Sequence, residues 1–295
     1  MRANLHLHSR FSDGTDWPAD VAARAAGANL RHVALTDHDS LGGTEEFRRA
    51  AGAFGMTATA GVEIDCKEPS IGYKSELLAY FPNGVFERTE AFLSEIGKER
   101  LIVAKEAIGR AERLFPSARL SFAELLDRKR EKRMELPAES LSFNKVDVYL
   151  YLRDAGAVSA SVDYKSFKKA YFDSKLLADG GREKPSCAEV VRVVRADGGF
   201  VVIPHVGHEF GDDSEKVKRS RARLADLLDY FRSIGVAGVE LYWYRNRGTA
   251  DLNRLVEREA ETRGFFLTYG SDCHGPGSGK ETMGDFFGDF RGFPA

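Results

Sequence analysis

His6-Leu7-His8 sets two imidazoles on either side of one leucine in a short apolar run, and Asp13 follows in Ser12-Asp13-Gly14. Alternate side chains of an extended strand share a face, so both rings can grip one ion. Four more clusters of the same chemical type follow: Thr36-Asp37-His38-Asp39, Gly61-Val62-Glu63, Ile203-Pro204-His205 and Gly270-Ser271-Asp272-Cys273-His274. Each comes after a short β-type run, and five of the seven histidines lie at such run ends. Core packing and surface decoration do not produce that distribution. Mixed imidazole and carboxylate donors suit divalent ions such as Mn, Fe or Zn, with Mg also in range, whereas a soft structural zinc site would need thiolates. Two or three such ions close together can bind a phosphate, activate water as hydroxide and stabilise the departing oxygen, so the expected chemistry is phosphoester hydrolysis.

Residues so far apart in sequence need a scaffold that gathers them. From residue 1 to about 84, short apolar runs alternate with helical patterns, as in β/α units around a mainly parallel sheet. Strands are expected at Ala3–Leu7, His32–Leu35, Thr57–Val62 and Glu76–Phe81. In Asp16-Trp17-Pro18 the acid reads as a helix cap and the proline as a first-turn residue, with Ala25-Ala26-Gly27 ending that helix. Between about 85 and 184 the pattern is long, charged and amphipathic, as in Ala91–Phe115 and Phe122–Glu131, which predicts an inserted helical subdomain splitting a barrel of residues 1–84 and 185–295. The β/α rhythm resumes at the capping box Ser186-Cys187-Ala188-Glu189 ahead of Val190–Ala196, with strands at Phe200–Ile203, Val236–Leu241 and Phe265–Tyr269. Ligand-bearing loops of α/β folds lie at the carboxyl ends of the strands, so closing these strands into a barrel brings every cluster to one mouth.

The bulk properties narrow the function classes. A formal net charge of −2 provides no broad basic field for a polyanion. Cys66, Cys187 and Cys273 are odd in number and far apart, which fits a reducing cytoplasm better than a disulfide framework. No run is long and apolar enough to cross a membrane, and the first residues lead into the His6/His8 strand with no signal-peptide pattern.

Taken together, His6-Leu7-His8, Ser12-Asp13-Gly14, Thr36-Asp37-His38-Asp39, Gly61-Val62-Glu63-Ile64, Pro204-His205 and Gly270–Gly275 resemble the motif series of the PHP (polymerase and histidinol phosphatase) superfamily. The stand-alone metal-dependent phosphoesterases are the branch most resembled, those acting on nucleoside 3′,5′-bisphosphates or trimming RNA 5′ ends. The resemblance implies an α/β fold, a distorted (β/α)7 barrel with an inserted α-helical subdomain, and two or three divalent ions. It assigns one ion to His6, His8, Glu63 and Asp272, a second to Glu63 with His205, and a third to Asp13, His38 and His274. Two departures stand out. Glu76 occupies the place of a family histidine, and is either a ligand or an exposed strand-start glutamate. His205-Val206-Gly207-His208 replaces a His-Pro-Gly-Arg pattern, with Lys145 standing for the arginine of the insert; neither imidazole nor ammonium reproduces the guanidinium fork.

Outside the ligand clusters, His208 is a candidate for touching substrate phosphate or donating a proton, and Lys145, Arg245 and Arg247 for neutralising substrate charge. Asp37 and Asp39 are expected to orient the His38 ring or to cap the next helix, and Cys273 to be buried. His32 reads as a surface or half-buried residue. Glu240 is either a ligand or the partner of a nearby base. Tyr242-Trp243-Tyr244 could stack a nucleobase or pack at the rim, and Asp127–Arg133 reads as a solvated helix face. The expected substrate is a small phosphomonoester, foremost a nucleotide. Histidinol phosphate and short RNA are alternatives, and the reading of another class is a PHP module that binds metal or nucleotide without turnover.

Overall fold

Seven aliphatic and β-branched runs and one two-residue segment form eight strands in the computed structural model, which describes residues 1–179, 183–244 and 249–294. They are β1 (Arg2–Leu7), β2 (His32–Leu35), β3 (Thr57–Asp65), β4 (Glu76–Phe81), β5 (Phe200–Ile203), β6 (Gly238–Tyr242), β7 (Phe266–Gly270) and β8 (Gly288–Asp289). Their order in the sheet is β7-β6-β5-β4-β3-β2-β1-β8. The chain leaving β7 comes back to β1: the His8 amide donates to the Cys273 carbonyl at 2.9 Å, and Asn4 Nδ2 donates to Ser271 Oγ at 2.7 Å. These contacts nearly close the sheet into the expected distorted barrel. The short β8 pairs antiparallel with β1 and was not foreseen.

The pairs β1–β2, β2–β3, β5–β6 and β6–β7 are parallel, but β4 runs antiparallel to both neighbours. This corrects the simple β/α reading of the first 84 residues. The ten residues between β3 and β4 hold only a 3₁₀ turn at Pro69–Ile71, and a parallel crossover needs a dozen or more. The strand therefore returns directly. As a result Glu76 at the start of β4 pairs with Asp65 at the end of β3, so the first residue of this one strand reaches the rim that the others reach with their last.

Helices α1 (Pro18–Gly27) and α2 (Thr44–Ala53) cover β2 through Val21, Ala25 and Phe47 packed on Val33 and Leu35. After β4 come α3 (Glu87–Leu114), α4 (Phe122–Arg130), α5 (Lys145–Asp154) and α6 (Tyr164–Phe167), the last running into a π-turn. Leu93 and Ile96 of α3 pack into the barrel core, whereas Leu101, Ile108 and Ala111 of the same helix join Tyr151, Leu152 and Phe167 in a second apolar cluster. One helix thus belongs to both layers. The barrel resumes with α7 (Cys187–Ala196), α8 (Ser214–Arg219), α9 (Arg221–Ser233) and α10 (Thr249–Thr262). Ser186 Oγ accepts the Glu189 amide at 3.2 Å, the serine half of the expected capping box.

Asp16, by contrast, does not cap α1. Trp17 holds the N-cap position without a side-chain bond, and Asp16 Oδ2 accepts from Arg24 Nη1 at 2.9 Å, one face of the helix being a stronger attraction than its end. The 127–133 run is not a free helix face either. Lys129 is buried, donating to the Ser12 carbonyl and to Asp147 at 2.8 Å, while Arg133 forks onto Glu46 and lies over the Trp17 ring. These cations dock the helical segment on the barrel.

His32 is buried as well, contrary to expectation, because Phe290 and Phe293 of the C-terminal segment fold against its ring while Nε2 lies 2.8 Å from Thr59 Oγ1. Burial, helped by the N-terminal amine, pushes its pKa from 6.5 down to about 4. The neutral ring is therefore the form that fits the fold. Its stability contribution is complete above pH 6.5 and is lost as the pH falls towards 4, by about 3 kcal/mol. Urea midpoints of wild type and His32→Gln should diverge across that window; parallel curves would contradict the assignment.

Candidate metal centre

The nine candidate ligands meet at the barrel mouth. His6 and His8 extend from β1 onto the same face and are fully buried. The loop beyond them is held by Asp37, which accepts from the Ser9 amide at 2.7 Å, Ser9 Oγ at 2.6 Å and Ser12 Oγ at 2.5 Å. Gly14 lies so close to the His8 carbonyl that a Cβ there would come within 2.7 Å of it, which only glycine avoids. Asp37 thus shapes the Asp13 turn. It neither orients the His38 ring nor caps α2, whose N-cap is Gly43. Asp39 is turned away too: it accepts the Asp65 amide at 2.9 Å and the Arg100 guanidinium at 2.6 and 2.8 Å, since that helix cation is the nearest compensation for a buried acid.

Glu63 stands at the middle. Its Oε2 lies 3.1 Å from His6 Nε2 and 3.3 Å from both His8 Nε2 and His38 Nδ1, and its Oε1 lies 3.1 Å from His205 Nε2. Asp272 Oδ1 faces His8 Nε2 at 3.1 Å and His274 Nδ1 at 3.3 Å, while His274 Nε2 lies 3.2 Å from Asp13. Glu76 Oε2 approaches His205 Nε2 to 3.9 Å. Three groups of donor atoms result, each confined within 4.8 Å: His6, His8, Glu63 and Asp272; His8, Asp13, His38 and His274; and Glu63, Glu76 and His205. Asp39, His205 and Asp272 have φ of 49°, 27° and 52°, left-handed backbone that tertiary contacts must hold in place.

Burial by itself would raise all three central carboxyls, but neighbouring cations outweigh it. His6 and His38 hold Glu63 well below the usual carboxylate range, Lys280 and His274 do so for Asp272, and His274 and His38 for Asp13. The same contest pushes His8 up to about 9, burial being overcome by Asp272 and Glu63. Both nitrogens of His8 are buried without an aligned hydrogen bond, although carboxylate oxygens stand 3.1 and 3.3 Å from Nε2 and 3.8 Å from Nδ1. A fully enclosed imidazole with no bonded partner, surrounded by ionised carboxylates, is what a cation site needs, and the N/O donor set fits Mn, Fe or Zn.

Several residues around the centre escaped the sequence reading. Lys280 donates to Asp272 Oδ2 at 2.5 Å and Tyr242 Oη donates to the same oxygen at 3.0 Å, leaving Oδ1 to the histidines. Tyr244 Oη accepts the Gly207 amide at 3.0 Å. Tyr242 and Tyr244 are buried, which removes them from base stacking. Arg100 bridges Asp39 and Asp65. Nothing local marks a lysine or arginine for such duties, but Gly238-Val239-Glu240 repeats the Gly61-Val62-Glu63 pattern, and Glu240 does enter the site. It is not part of any ligand group. Cys273 is buried in the core, facing away from its two neighbours.

The remaining candidates lie further out. His208 is 39% exposed at the side chain, bonds Asp212 Oδ1 through Nδ1 at 2.5 Å and stacks on His205 with centroids 4.5 Å apart. Lys145 begins α5, half-buried, with Nζ 5.1 Å from the centroid of the Phe172 ring. Burial and then Lys168 lower its pKa. Arg245 and Arg247 lie outside the described residues.

Known proteins carry the same arrangement of chain. A phosphoribosyl 1,2-cyclic phosphate 1,2-diphosphodiesterase of Eggerthella lenta is 26% identical over 93% of this chain and 95% of its own. A 3′,5′-nucleoside bisphosphate phosphatase of Chromobacterium violaceum is 24% identical over 95% and 90%. Among solved structures, a proposed metal-dependent phosphoesterase from Bifidobacterium adolescentis superposes with a TM-score of 0.68 at 25% identity, covering 93% of this chain and 88% of that one. The PHP domain matches residues 4–177, well over half the sequence, and the chain belongs to the PHP domain family.

Proposed function

We propose that the ester cleaved by this metal-dependent phosphoesterase is a small phosphomonoester, and within that class a nucleotide such as a nucleoside 3′,5′-bisphosphate. The observation that carries the reading is the convergence of nine donors in three overlapping groups around the buried carboxylate of Glu63. The named activity of the Chromobacterium violaceum relative supports the nucleotide. In this reading His6, His8, Glu63 and Asp272 hold one divalent ion, Glu63, Glu76 and His205 a second, and Asp13, His38 and His274 a third. When bound, such ions supply Lewis acidity towards a phosphoryl oxygen and lower the pKa of water. The chain's own residues do the rest. Lys280 and Tyr242 fix Asp272, and Lys145 with Arg245 and Arg247 offsets the charge of the distal part of the substrate. His208, held by Asp212 beside His205, hands a proton to the departing alkoxide oxygen.

The chain divides, in the same proposal, into a barrel of residues 1–84 and 185–295 and an inserted helical subdomain, 85–184, supported by a second apolar cluster built from that segment with only Phe11 and Trp17 of the barrel. Rates on adenosine 3′,5′-bisphosphate, histidinol phosphate, a 5′-phosphorylated oligoribonucleotide and a ribose 1,2-cyclic phosphate, with Mn or Fe supplied, test the substrate. The bisphosphate is expected to have the highest kcat/KM, and preference for any other arm overturns the choice. Replacing His208 by alanine should lower kcat about 10²-fold for a poor leaving group and far less for p-nitrophenolate, which needs no proton. Equal losses on the two would remove His208 from proton transfer.

A further inference from the structure

Glu240 is fully enclosed in the middle of β6, and each of its oxygens has a separate task. Oε1 lies 2.9 Å from His6 Nδ1, and Oε2 accepts the backbone amide of His205 at 2.9 Å. Glu240 is thus bonded to a member of the His6/His8/Glu63/Asp272 group and to a member of the Glu63/Glu76/His205 group without belonging to either. The fold makes room for it: a Cβ at Gly270 would overlap both Glu240 Oε1 and the His6 side chain.

We infer that Glu240 is a positioning residue that fixes the tautomer of His6 and the strained backbone of His205, and thereby sets the affinity of two ion sites together. A carboxylate only accepts, so with an ion on Nε2 the one proton of His6 would sit on Nδ1, towards Glu240, and Nε2 would face Glu63 and Asp272. On the other side, the amide of His205 is held while the residue keeps φ of 27°, which aims its ring at Glu63. Glutamine has the same shape but cannot do both. With its NH₂ towards His6, the ring must accept at Nδ1 and carry its proton on Nε2, the atom meant for the ion. With the NH₂ towards His205, two donors oppose each other.

This rests on the proposal that His6 and His205 ligate ions, and the test separates the two. Wild-type protein and Glu240→Gln are titrated with Mn(II) and Co(II) by calorimetry, with circular dichroism and apo-protein melting recorded alongside. The variant is expected to keep its fold and bind about 10- to 100-fold more weakly, at both of the sites it serves. Wild-type affinity in the variant overturns the inference while leaving the metal sites standing, whereas a wild type that takes up neither ion defeats both. Should the variant not fold, nitrogen-15 spectra of the zinc-loaded wild type decide: a proton on His6 Nδ1 upholds the role of Glu240, and one on Nε2 overturns it.

Discussion

Changing Glu63 to glutamine is expected to lower kcat/KM for phosphoester hydrolysis by about 10³-fold or more, equivalent to about 4 kcal/mol of transition-state stabilisation. The side chain keeps its volume, so the effect is electrical and directional. Glu63 presents Oε1 to His205 and Oε2 to His6, His8 and His38, and takes part in two of the three donor groups. An amide removes a unit of negative charge from the point where cations would gather, and turns an NH₂ donor towards one set of imidazoles. Metal content measured alongside the kinetics should fall with activity, with circular dichroism unchanged. Near-normal turnover in that variant would remove Glu63 from the centre of the site.

Divalent ions should also be the largest stabilising ligands of the folded chain. Asp13, Glu63, Glu76 and Asp272 gather at the mouth beside His8, whose ring nitrogens are unbonded, so donors for divalent ions stand in place in the folded chain. Binding to the folded state alone stabilises by about 2.7 kcal/mol per site at a hundred times the Kd, which for a chain of this size raises Tm by about 4 °C per site. Scanning calorimetry with Mn(II), Fe(II) or Zn(II), then with excess chelator, measures the shift and its reversal. Asp272→Ala should lose the part of it that comes from the one group Asp272 joins. No shift with any of these ions would count against the ligand groups as cation sites.

How much of this could be read from residues alone depends on the range of the interaction. His6-Leu7-His8 shows its chemistry locally, because strand alternation puts both rings on one face. The run-end positions of Glu63, His205 and Asp272 point to a common mouth once the strands are taken to close. Cap chemistry placed the start of α7 for the same local reason. Asp16 was misread because an arginine two turns along the same helix competes for it, a local choice that cap chemistry does not settle, and His32 because a pair of phenylalanines more than 250 residues on buries it.

What the sequence determined by itself, then, is the kind of chemistry, the family resemblance and the strand ends that carry the donors. Tertiary structure alone decided that β4 runs backwards so that Glu76 reaches the rim, that Lys280 and Tyr242 brace Asp272, and that Glu240 is bonded between His6 and His205. Donor type and strand periodicity are properties of residues and their immediate neighbours. The direction of a strand and the partner of a buried charge are set by contacts between segments distant in the chain, which form only when the barrel closes.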